Sequence, residues 1–363
     1  MSTDTQGGWR GYLAPATSSG FESRRRHQGA IRPGRPAELI MDRKRSSCMA
    51  ALESLEEAEE YVNALFYGEP GSGKTTDAAS MAKLGGTIVY IDAEAGLKVQ
   101  PMKRLEIPTD RILRYRVETF DDLQNLYWQL KAKLEEQAAR VAQAKKDGEE
   151  IPEEERAKFV IGVVFDSMTE IQKKLLEGIT NARYAKSKAQ AERAGMVVQD
   201  DPFSTDRDEW GRMTEMCRRV TRQFRDLECH TAFVCLDRRE VDKEATEGGV
   251  FYRPALTPAF STDLMGYVDV VIYTSREEVD DLHDESQFVG ITTATGKYRG
   301  KDRYGVLPPA FPNPTFDRLV HFVRNADPRD PHAWALDDEF VRRRLIRIGE
   351  LPDPNAEAES VGL

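Results

Sequence analysis

One octet constrains this chain more than any other feature, because residues 68–75 read Gly-Glu-Pro-Gly-Ser-Gly-Lys-Thr and match the pattern G-x-x-x-x-G-K-T. An apolar, β-prone run precedes the octet at 62–67, and a helix-forming run follows it at 76–83. A strand, a loop and a helix in this order are the context in which such an octet cradles phosphate. The glycines let backbone N–H groups point at phosphate oxygens, and the helix adds positive potential there. The octet therefore predicts a nucleoside triphosphate site.

The side chains of this phosphate loop have separate predicted roles. Lys74 would reach the β- and γ-phosphates, and the hydroxyl of Thr75 would bind Mg²⁺. The alternative is a glycine-rich turn that matches by chance, and the flanking strand and helix count against it. The residues predicted to contact the nucleotide are Gly68, Glu69, Pro70, Gly71, Ser72, Gly73, Lys74, Thr75 and Thr76.

Two carboxylates follow apolar strands and extend the predicted site. The run Val-Val-Phe-Asp-Ser at 163–167 ends a strand in Asp166, whose carboxylate would hold Mg²⁺ through water beside Thr75. The run Ile-Asp-Ala-Glu-Ala-Gly-Leu at 91–97 places Glu94 at the strand end where α/β sheets bind ligands. A carboxylate there can orient and deprotonate the water that attacks the γ-phosphate. An ordinary strand-end Asp166 and a purely structural Glu94 are the alternatives.

Alternating strand and helix patterns predict an α/β fold with a mostly parallel, twisted central sheet flanked by helices. The predicted core covers 46–310, with a polar, irregular insertion at about 181–208. Residues 1–45 are predicted to be a disordered basic tail, which would be an arm that binds nucleic acid, a solvated tail, or upstream sequence before a true start at Met41. Residues 311–363 are predicted to be a C-terminal extension with a short helix near 337–348 and an acidic tail.

Composition narrows the class of protein. Charged residues make up 31% of the chain and no apolar run reaches the length of a membrane-spanning helix, so a protein of the cytoplasm without membrane contact is expected. The four cysteines form no C-x-x-C pair, which favours a reduced protein without a zinc site. A formal charge of −10 argues against coating nucleic acid by bulk electrostatics, but local basic loops could still contact phosphates.

The stretch Gly-Gly-Thr-Ile-Val-Tyr-Ile-Asp-Ala-Glu-Ala-Gly-Leu at 85–97 resembles a strand of the bacterial RecA recombinases that reads Phe-Ile-Asp-Ala-Glu. Asp166-Ser167 likewise resembles the second motif of that family. The resemblance spans about Val62 to Leu307 and implies a RecA-like P-loop NTPase that uses ATP and Mg²⁺, with Glu94 as the catalytic glutamate. The order of motifs is similar to compact RecA-like ATPases of bacteriophages, which implies a role in DNA recombination in a bacterial host's cytoplasm.

A basic turn near the end of the core adds a further resemblance. Gly-Lys-Asp-Arg-Tyr-Gly at 300–305 is similar to the place where RecA-like and ring-helicase ATPases carry a Lys-x-Lys or Lys-x-Arg pair. By that resemblance Lys301 and Arg303 would reach the γ-phosphate of a neighbouring subunit and neutralise transition-state charge. Fingers that act in trans imply a homo-oligomer, either a ring or a filament. The alternative is a solvated basic hairpin.

The resemblance leaves the γ-phosphate sensor and the DNA site open. Asp237-Arg238 stands where RecA has a glutamine sensor, so either residue could serve. The resemblance implies contacts with single-stranded DNA on loops at about 173–193 and 238–253, and it implies single-strand-binding or other recombination proteins as partners. Both loops are basic, and aromatic side chains there could stack on bases. Those aromatic residues are Tyr184, Phe251 and Tyr252.

Three other functions compete with a recombination ATPase. A DnaB-like helicase core or a helicase loader would use the same site, although no obvious N-terminal oligomerisation domain is expected from the sequence. A nucleotide-switched scaffold with little turnover is disfavoured by Glu94, Lys301 and Arg303. A small-molecule kinase is the least favoured, because no lid-like arginine pattern is visible and Glu94 would have no role.

Overall fold

The structure is a computed structural model that describes residues 61–241, 249–277 and 287–325. The tail predicted at 1–45 and the helix predicted near 337–348 lie outside the described residues. The strands are β1 (Asn63–Gly68), β2 (Thr87–Asp92), β3 (Ile112–Tyr115), β4 (Val160–Asp166), β5 (His230–Val241), β6 (Val250–Pro254), β7 (Val270–Glu277), β8 (Gln287–Ile291), β9 (Lys301–Asp302) and β10 (Ala310–Pro312). The α-helices are α1 (Lys74–Ala79), α2 (Val99–Arg104), α3 (Phe120–Asp147), α4 (Glu153–Arg156), α5 (Met168–Ala194), α6 (Arg207–Arg225), α7 (Pro258–Tyr267) and α8 (Phe316–Asn325), and 3-10 turns lie at Ser80–Leu84 and Thr109–Arg111.

The main sheet has the order β10-β8-β7-β1-β5-β4-β2-β3. Its six strands from β7 to β3 are parallel, whereas β8 and β10 join one side as antiparallel strands. The fold is therefore α/β with a mostly parallel central sheet flanked by helices, as the sequence predicts. One strand, β5, lies between the strand that leads into the phosphate loop and the strand that ends in Asp166.

The sheet separates two apolar layers, because successive residues of a strand point to opposite faces. Along β1, Leu65 and Tyr67 pack in one layer with side chains of α3, α5, α6 and α7. Ala64 and Phe66 pack in the other layer with side chains of α1 and α8. All four of these β1 residues are fully buried, so β1 is covered on both faces as a central parallel strand requires.

Two predicted boundaries differ from the structure. The irregular conformation predicted for 181–208 is wrong for 181–194, because α5 continues without a break to Ala194 and ends at Gly195, whose φ is 63°. The core also extends beyond the boundary predicted at 310. Ala310–Pro312 pairs with β8, and the following helix α8 buries Phe316 and Leu319 against the sheet.

Among the described helices, none is both long enough and apolar enough to cross a membrane.

Candidate functional site

The phosphate loop connects β1 to α1 in a conformation that only glycine allows at two positions. Gly73, just before α1, has a φ of 88°, in the left-handed region that L side chains rarely adopt. Gly68 packs so closely on β7 that an added Cβ would lie 2.1 Å from the Thr274 carbonyl oxygen. The backbone of the loop is thereby pressed against the sheet, with its N–H groups at the carboxyl edge of the strands.

Lys74 is held inside this loop. Its Nζ donates hydrogen bonds to the carbonyl oxygens of Gly68 at 2.9 Å and Glu69 at 2.6 Å, and to Ser72 Oγ at 3.2 Å. Burial lowers the pKa of Lys74, and the nearby carboxylate of Asp237 opposes that shift. The ammonium is therefore fixed at the start of α1, where Lys74 was predicted to meet the nucleotide phosphates.

Thr75 and Asp166 come together at the ends of α1 and β4. Thr75 Oγ1 donates a 2.8 Å hydrogen bond to Asp166 Oδ2, and Tyr90 Oη donates a 2.6 Å bond to the same oxygen. Burial raises the pKa of Asp166, while these two hydrogen bonds favour its ionised form. Sequence reasoning missed Tyr90; nothing in its apolar strand distinguished it from an ordinary core aromatic.

The pair of Thr75 and Asp166 fits a bound Mg²⁺. Hydroxyl and carboxylate oxygens are the donors that Mg²⁺ takes from proteins, and the ion keeps several waters and substrate phosphate oxygens as its other ligands. Within the described residues, no group of three or more His, Cys, Asp or Glu side chains is arranged to hold a metal. Two oxygen donors beside a phosphate loop are sufficient for Mg²⁺, whereas a structural zinc ion would need four ligands.

Glu94 lies in the turn after β2, next to the strand that carries Asp166. Asp92 and Asp166 are direct partners in the sheet, and the Ser167 hydroxyl donates a hydrogen bond to Glu94 Oε1. Asp92 fixes the turn itself, because it accepts a 3.0 Å bond from the N–H of Gly96 and pairs at 2.5 Å with Arg114. Glu94 is exposed on the wall of a cleft of about 570 Å³. A carboxylate in this position is open to water and to substrate.

The structure does not bring Lys301 and Arg303 to the phosphate loop of their own chain. Lys301 lies in β9, which pairs with the first residues of β7, at the amino edge of the parallel strands. Its Nζ donates to the carbonyl oxygens of Met265, Gly266 and Val268, at 3.1, 3.2 and 2.6 Å. Arg303 Nη1 pairs with Asp269 Oδ1 at 2.6 Å. These two cations bind the end of α7 and the residue before β7. They lie at the amino edge of the sheet, whereas the phosphate loop lies at the carboxyl edge.

A second Lys-x-Arg pair, which sequence reasoning missed, lies nearer to the loop. The Arg299 N–H donates a 2.8 Å bond to the hydroxyl of Tyr67, the residue before Gly68. Lys297 Nζ lies 5.1 Å from the ring centroid of Tyr298, which stacks on Tyr273 at 4.1 Å. The sequence Lys-Tyr-Arg at 297–299 has the same Lys-x-Arg spacing and lies four residues before Lys301 and Arg303, so this pattern could have identified it.

The surroundings of Asp237 and Arg238 differ, and this bears on which of them could be the γ-phosphate sensor. Asp237 Oδ2 accepts a 3.4 Å bond from Tyr273 Oη, and its charge acts on Lys74. Burial raises the pKa of Asp237, and the charge of Glu69 raises it further. The side chain of Arg238 is exposed and lies 3.5 Å from Glu240. Of the two, Asp237 is the one that faces the phosphate loop.

The predicted DNA loops have a different conformation from the one expected. Residues 173–193 belong to α5, so the first predicted loop is wrong and Tyr184 lies on a helix. In the second, the end of β5 pairs with β6 as an antiparallel hairpin, and residues 242–248 lie outside the described part of the chain. Phe251 and Tyr252 are strand residues that are partly buried there.

This fold and site define a P-loop NTPase, since a phosphate loop, a strand-end aspartate and an adjacent strand-end glutamate meet at one edge of a parallel sheet. A family model described as AAA domain matches residues 60–304. The chain belongs to this family and is an AAA-domain P-loop ATPase, a class that binds ATP and Mg²⁺. No curated protein shows a significant match to the chain.

Proposed function

We propose that this ATPase belongs to the RecA-like class and couples Mg²⁺-dependent ATP hydrolysis to single-stranded DNA in phage-type recombination or replication. The main support for hydrolysis is that Glu94 lies close to the hydrogen-bonded pair of Thr75 and Asp166 at the carboxyl edge of the sheet. The Asp-Ala-Glu turn after β2 and the Asp-Ser pair after β4 support the RecA-like assignment.

Each residue has one task in the proposed reaction. Thr75 Oγ1 and Asp166 would hold Mg²⁺, Asp166 through water, and the ion when bound neutralises phosphate charge. Lys74 would exchange its bonds to the loop carbonyls for bonds to the β- and γ-phosphates. Glu94 Oε would accept a proton from the attacking water, which it orients in line with the γ-phosphate. The backbone N–H groups of the loop would bind the phosphate oxygens.

We propose that a homo-oligomer, either a ring or a filament, completes the site, because the phosphate loop itself supplies one cation, Lys74, and a neighbouring subunit could supply a second to the γ-phosphate. Lys301 and Arg303 could act in trans only after release from the α7 carbonyls and from Asp269. Lys297 and Arg299 lie near the loop and form no ion pair within the described residues; Lys297 contacts the ring of Tyr298 and Arg299 that of Phe251. They are the better candidates to meet a nucleotide at an interface between subunits.

A nucleotide-switched scaffold with little turnover is the second candidate, and one contact favours it. The Ser167 hydroxyl is bonded to Glu94, so the carboxylate is held by its own chain rather than free to bind water. If that contact persists with ATP bound, binding would occur without rapid hydrolysis. The same contact would instead open during each turnover of an active ATPase.

Steady-state ATP hydrolysis with and without single-stranded DNA tests the proposal. Glu94→Gln removes the base and is expected to lower kcat at least about a hundredfold. Lys74→Ala is expected to abolish hydrolysis and to weaken nucleotide binding as well. Lys83→Ala and Glu135→Gln are the matched controls, because both side chains are exposed and lie outside the site.

The outcomes separate the candidates. Strong stimulation by DNA that both site variants abolish supports a DNA-dependent ATPase. Robust hydrolysis that no DNA changes would leave the site assignment intact and overturn the DNA role. Tight ATP binding without hydrolysis, in the presence of DNA and at high protein concentration, would favour the scaffold.

A further inference from the structure

A second cavity opens beside the nucleotide site, between α5, α6 and the first turn of α7. It is a groove of about 960 Å³. One face of α6 forms its wall, with side chains at the spacing of successive helical turns, beside the face that buries Met213 and Cys217. The groove residues of α6 are Arg207, Trp210, Gly211, Thr214 and Arg218.

Four cations line the groove, although the chain as a whole carries −10. Its described lining contains Lys173, Arg207, Arg218 and Arg238 and no acidic side chain. Arg218 pairs with Asp263 at 2.7 Å, Lys173 with Glu170 at 3.0 Å and Arg238 with Glu240 at 3.5 Å, and these carboxylates lie outside the lining. Within the described part of the chain Arg207 forms no ion pair. The side chains of Lys173 and Arg238 are exposed and their ion pairs are weak, so the phosphates of a ligand could replace the two carboxylates at little cost, whereas Arg218 is half-buried and stays with Asp263.

Trp210 supplies an aromatic surface in the same groove. Its side chain is 40% exposed, which is unusual for so large an apolar group on a helix that packs against the core. The indole Nε1 donates a 3.1 Å bond to Thr205 Oγ1, which fixes the orientation of the ring. The nearby Gly211 has open space where a Cβ would stand, so the floor of the groove beside the indole is accessible.

We propose that this groove binds single-stranded nucleic acid, with a base stacked on Trp210 and backbone phosphates bound by Arg207, Lys173 and Arg238. The inference rests on the proposed function and names its DNA site. Cations that follow a groove together with an exposed aromatic ring are the combination that binds single strands without strong sequence preference. An acidic peptide would use the cations but would leave the indole without a stacking partner.

The groove is also placed to act on hydrolysis. Lys173 lines both this groove and the cleft that contains Glu94. It belongs to the start of α5, which follows Ser167, the residue that holds Glu94. The same turn is tied to the groove by Thr169, which accepts a 3.2 Å bond from the Leu236 N–H, and by Gln172, which accepts a 2.8 Å bond from the Thr257 N–H. A strand bound in the groove therefore contacts the turn that positions the proposed base.

Fluorescence anisotropy of a labelled thymidine oligonucleotide, measured with the full chain over a salt series, tests the groove. Trp210→Ala is expected to weaken binding roughly tenfold, and Trp210→Phe is expected to restore most of it because a ring remains. Arg207→Ala is expected to reduce the slope of log K against log salt by roughly 0.7, the loss of one phosphate contact. Trp128→Ala and Arg212→Ala are matched controls, because both side chains are exposed outside the groove. These two variants are expected to bind the oligonucleotide like the wild type.

The outcomes distinguish the groove from the proposed function. If the wild type binds the oligonucleotide and is stimulated by it, but the groove variants match the controls, the groove is overturned and the DNA role stands. If the wild type binds no oligonucleotide with ADP, with a non-hydrolysable ATP analogue or without nucleotide, both fall. Ultraviolet cross-linking of the wild type to a bromodeoxyuridine oligonucleotide needs no variant, and adducts on Trp210 support the groove whereas adducts elsewhere alone overturn it.

Discussion

At the scale of single residues, the site depends on contacts that no motif specifies. Tyr90 is fully buried in β2, yet its hydroxyl reaches Asp166 across the sheet, because β2 and β4 are neighbours. The same Asp166 oxygen accepts from Thr75, so two hydroxyls orient one carboxylate before any metal binds. Second-sphere hydrogen bonds of this kind set the direction and basicity of a metal ligand.

Tyr90→Phe is therefore expected to raise the Mg²⁺ concentration needed for half-maximal ATP hydrolysis by roughly 10- to 100-fold. The ring stays in the core, so the losses are the 2.6 Å hydrogen bond to Asp166 and a longer one, at 3.4 Å, to the Thr75 carbonyl oxygen. Titration of Mg²⁺ at saturating ATP measures the effect. Tyr115→Phe is the control, because that hydroxyl donates to the Asp122 carbonyl at the start of α3 instead. An unchanged Mg²⁺ requirement in Tyr90→Phe would show that Thr75 alone positions Asp166.

At the scale of elements, the long helices show what local sequence predicts and what it does not. Thr119 and Asp122 form a reciprocal capping box at the start of α3, and this pair of residues at this spacing is a local signal that a helix begins. Residues 181–194 were expected to be irregular because they lack an apolar stripe. They are helical because Ala, Lys, Arg, Gln and Glu are good helix formers, and because Arg183 pairs with Glu209 of α6 at 2.8 Å. A pattern search that depends on apolar spacing cannot detect such a helix.

Thr119→Ala is expected to lower the free energy of unfolding by about 1 kcal/mol, because the Asp122 N–H loses its side-chain acceptor at the start of α3. Urea denaturation followed by circular dichroism measures the change. Lys133→Ala, on the exposed face of the same helix, is expected to change stability by less than about 0.5 kcal/mol. Equal effects of the two substitutions would mean that packing of α3, not its cap, determines where the helix begins.

At the scale of the whole molecule, a buried histidine connects the neighbouring strands β1 and β5 at the amino edge of the sheet. His230, at the start of β5, accepts a 3.0 Å bond on Nδ1 from the Val62 N–H beside β1. Burial, together with the charge of Arg324, lowers the pKa of His230 from 6.5 to about 4. The folded protein therefore holds this ring neutral while the unfolded chain takes up a proton below pH 6.5.

Stability is consequently expected to fall as the pH drops from 6.5 towards 4, because the unfolded state binds more protons in that window. The contribution of His230 is about 3 kcal/mol at its full extent. Urea unfolding at pH 7 and pH 5 of the wild type and of His230→Gln, which keeps an acceptor for Val62, isolates it from the carboxylates. His321→Gln is the control, since His321 is exposed on α8. The expectation fails if both variants retain the pH dependence of the wild type.

The sequence by itself determined the phosphate loop, the α/β class and the strand-end positions of Glu94 and Asp166. Those features are local: glycine conformations, alternating apolar runs and a carboxylate after a buried strand are visible in a few neighbouring residues.

Only the tertiary structure decided which strand ends meet. The order of strands brings Tyr90 to Asp166 and Ser167 to Glu94, and it places Lys301 and Arg303 at the amino edge, because β9 pairs with the first residues of β7. Lys297 and Arg299, only four residues earlier, lie near the phosphate loop instead. Which edge of the sheet a residue occupies depends on the pairing of strands that are distant in sequence. No local pattern could therefore have distinguished Lys297 and Arg299 from Lys301 and Arg303.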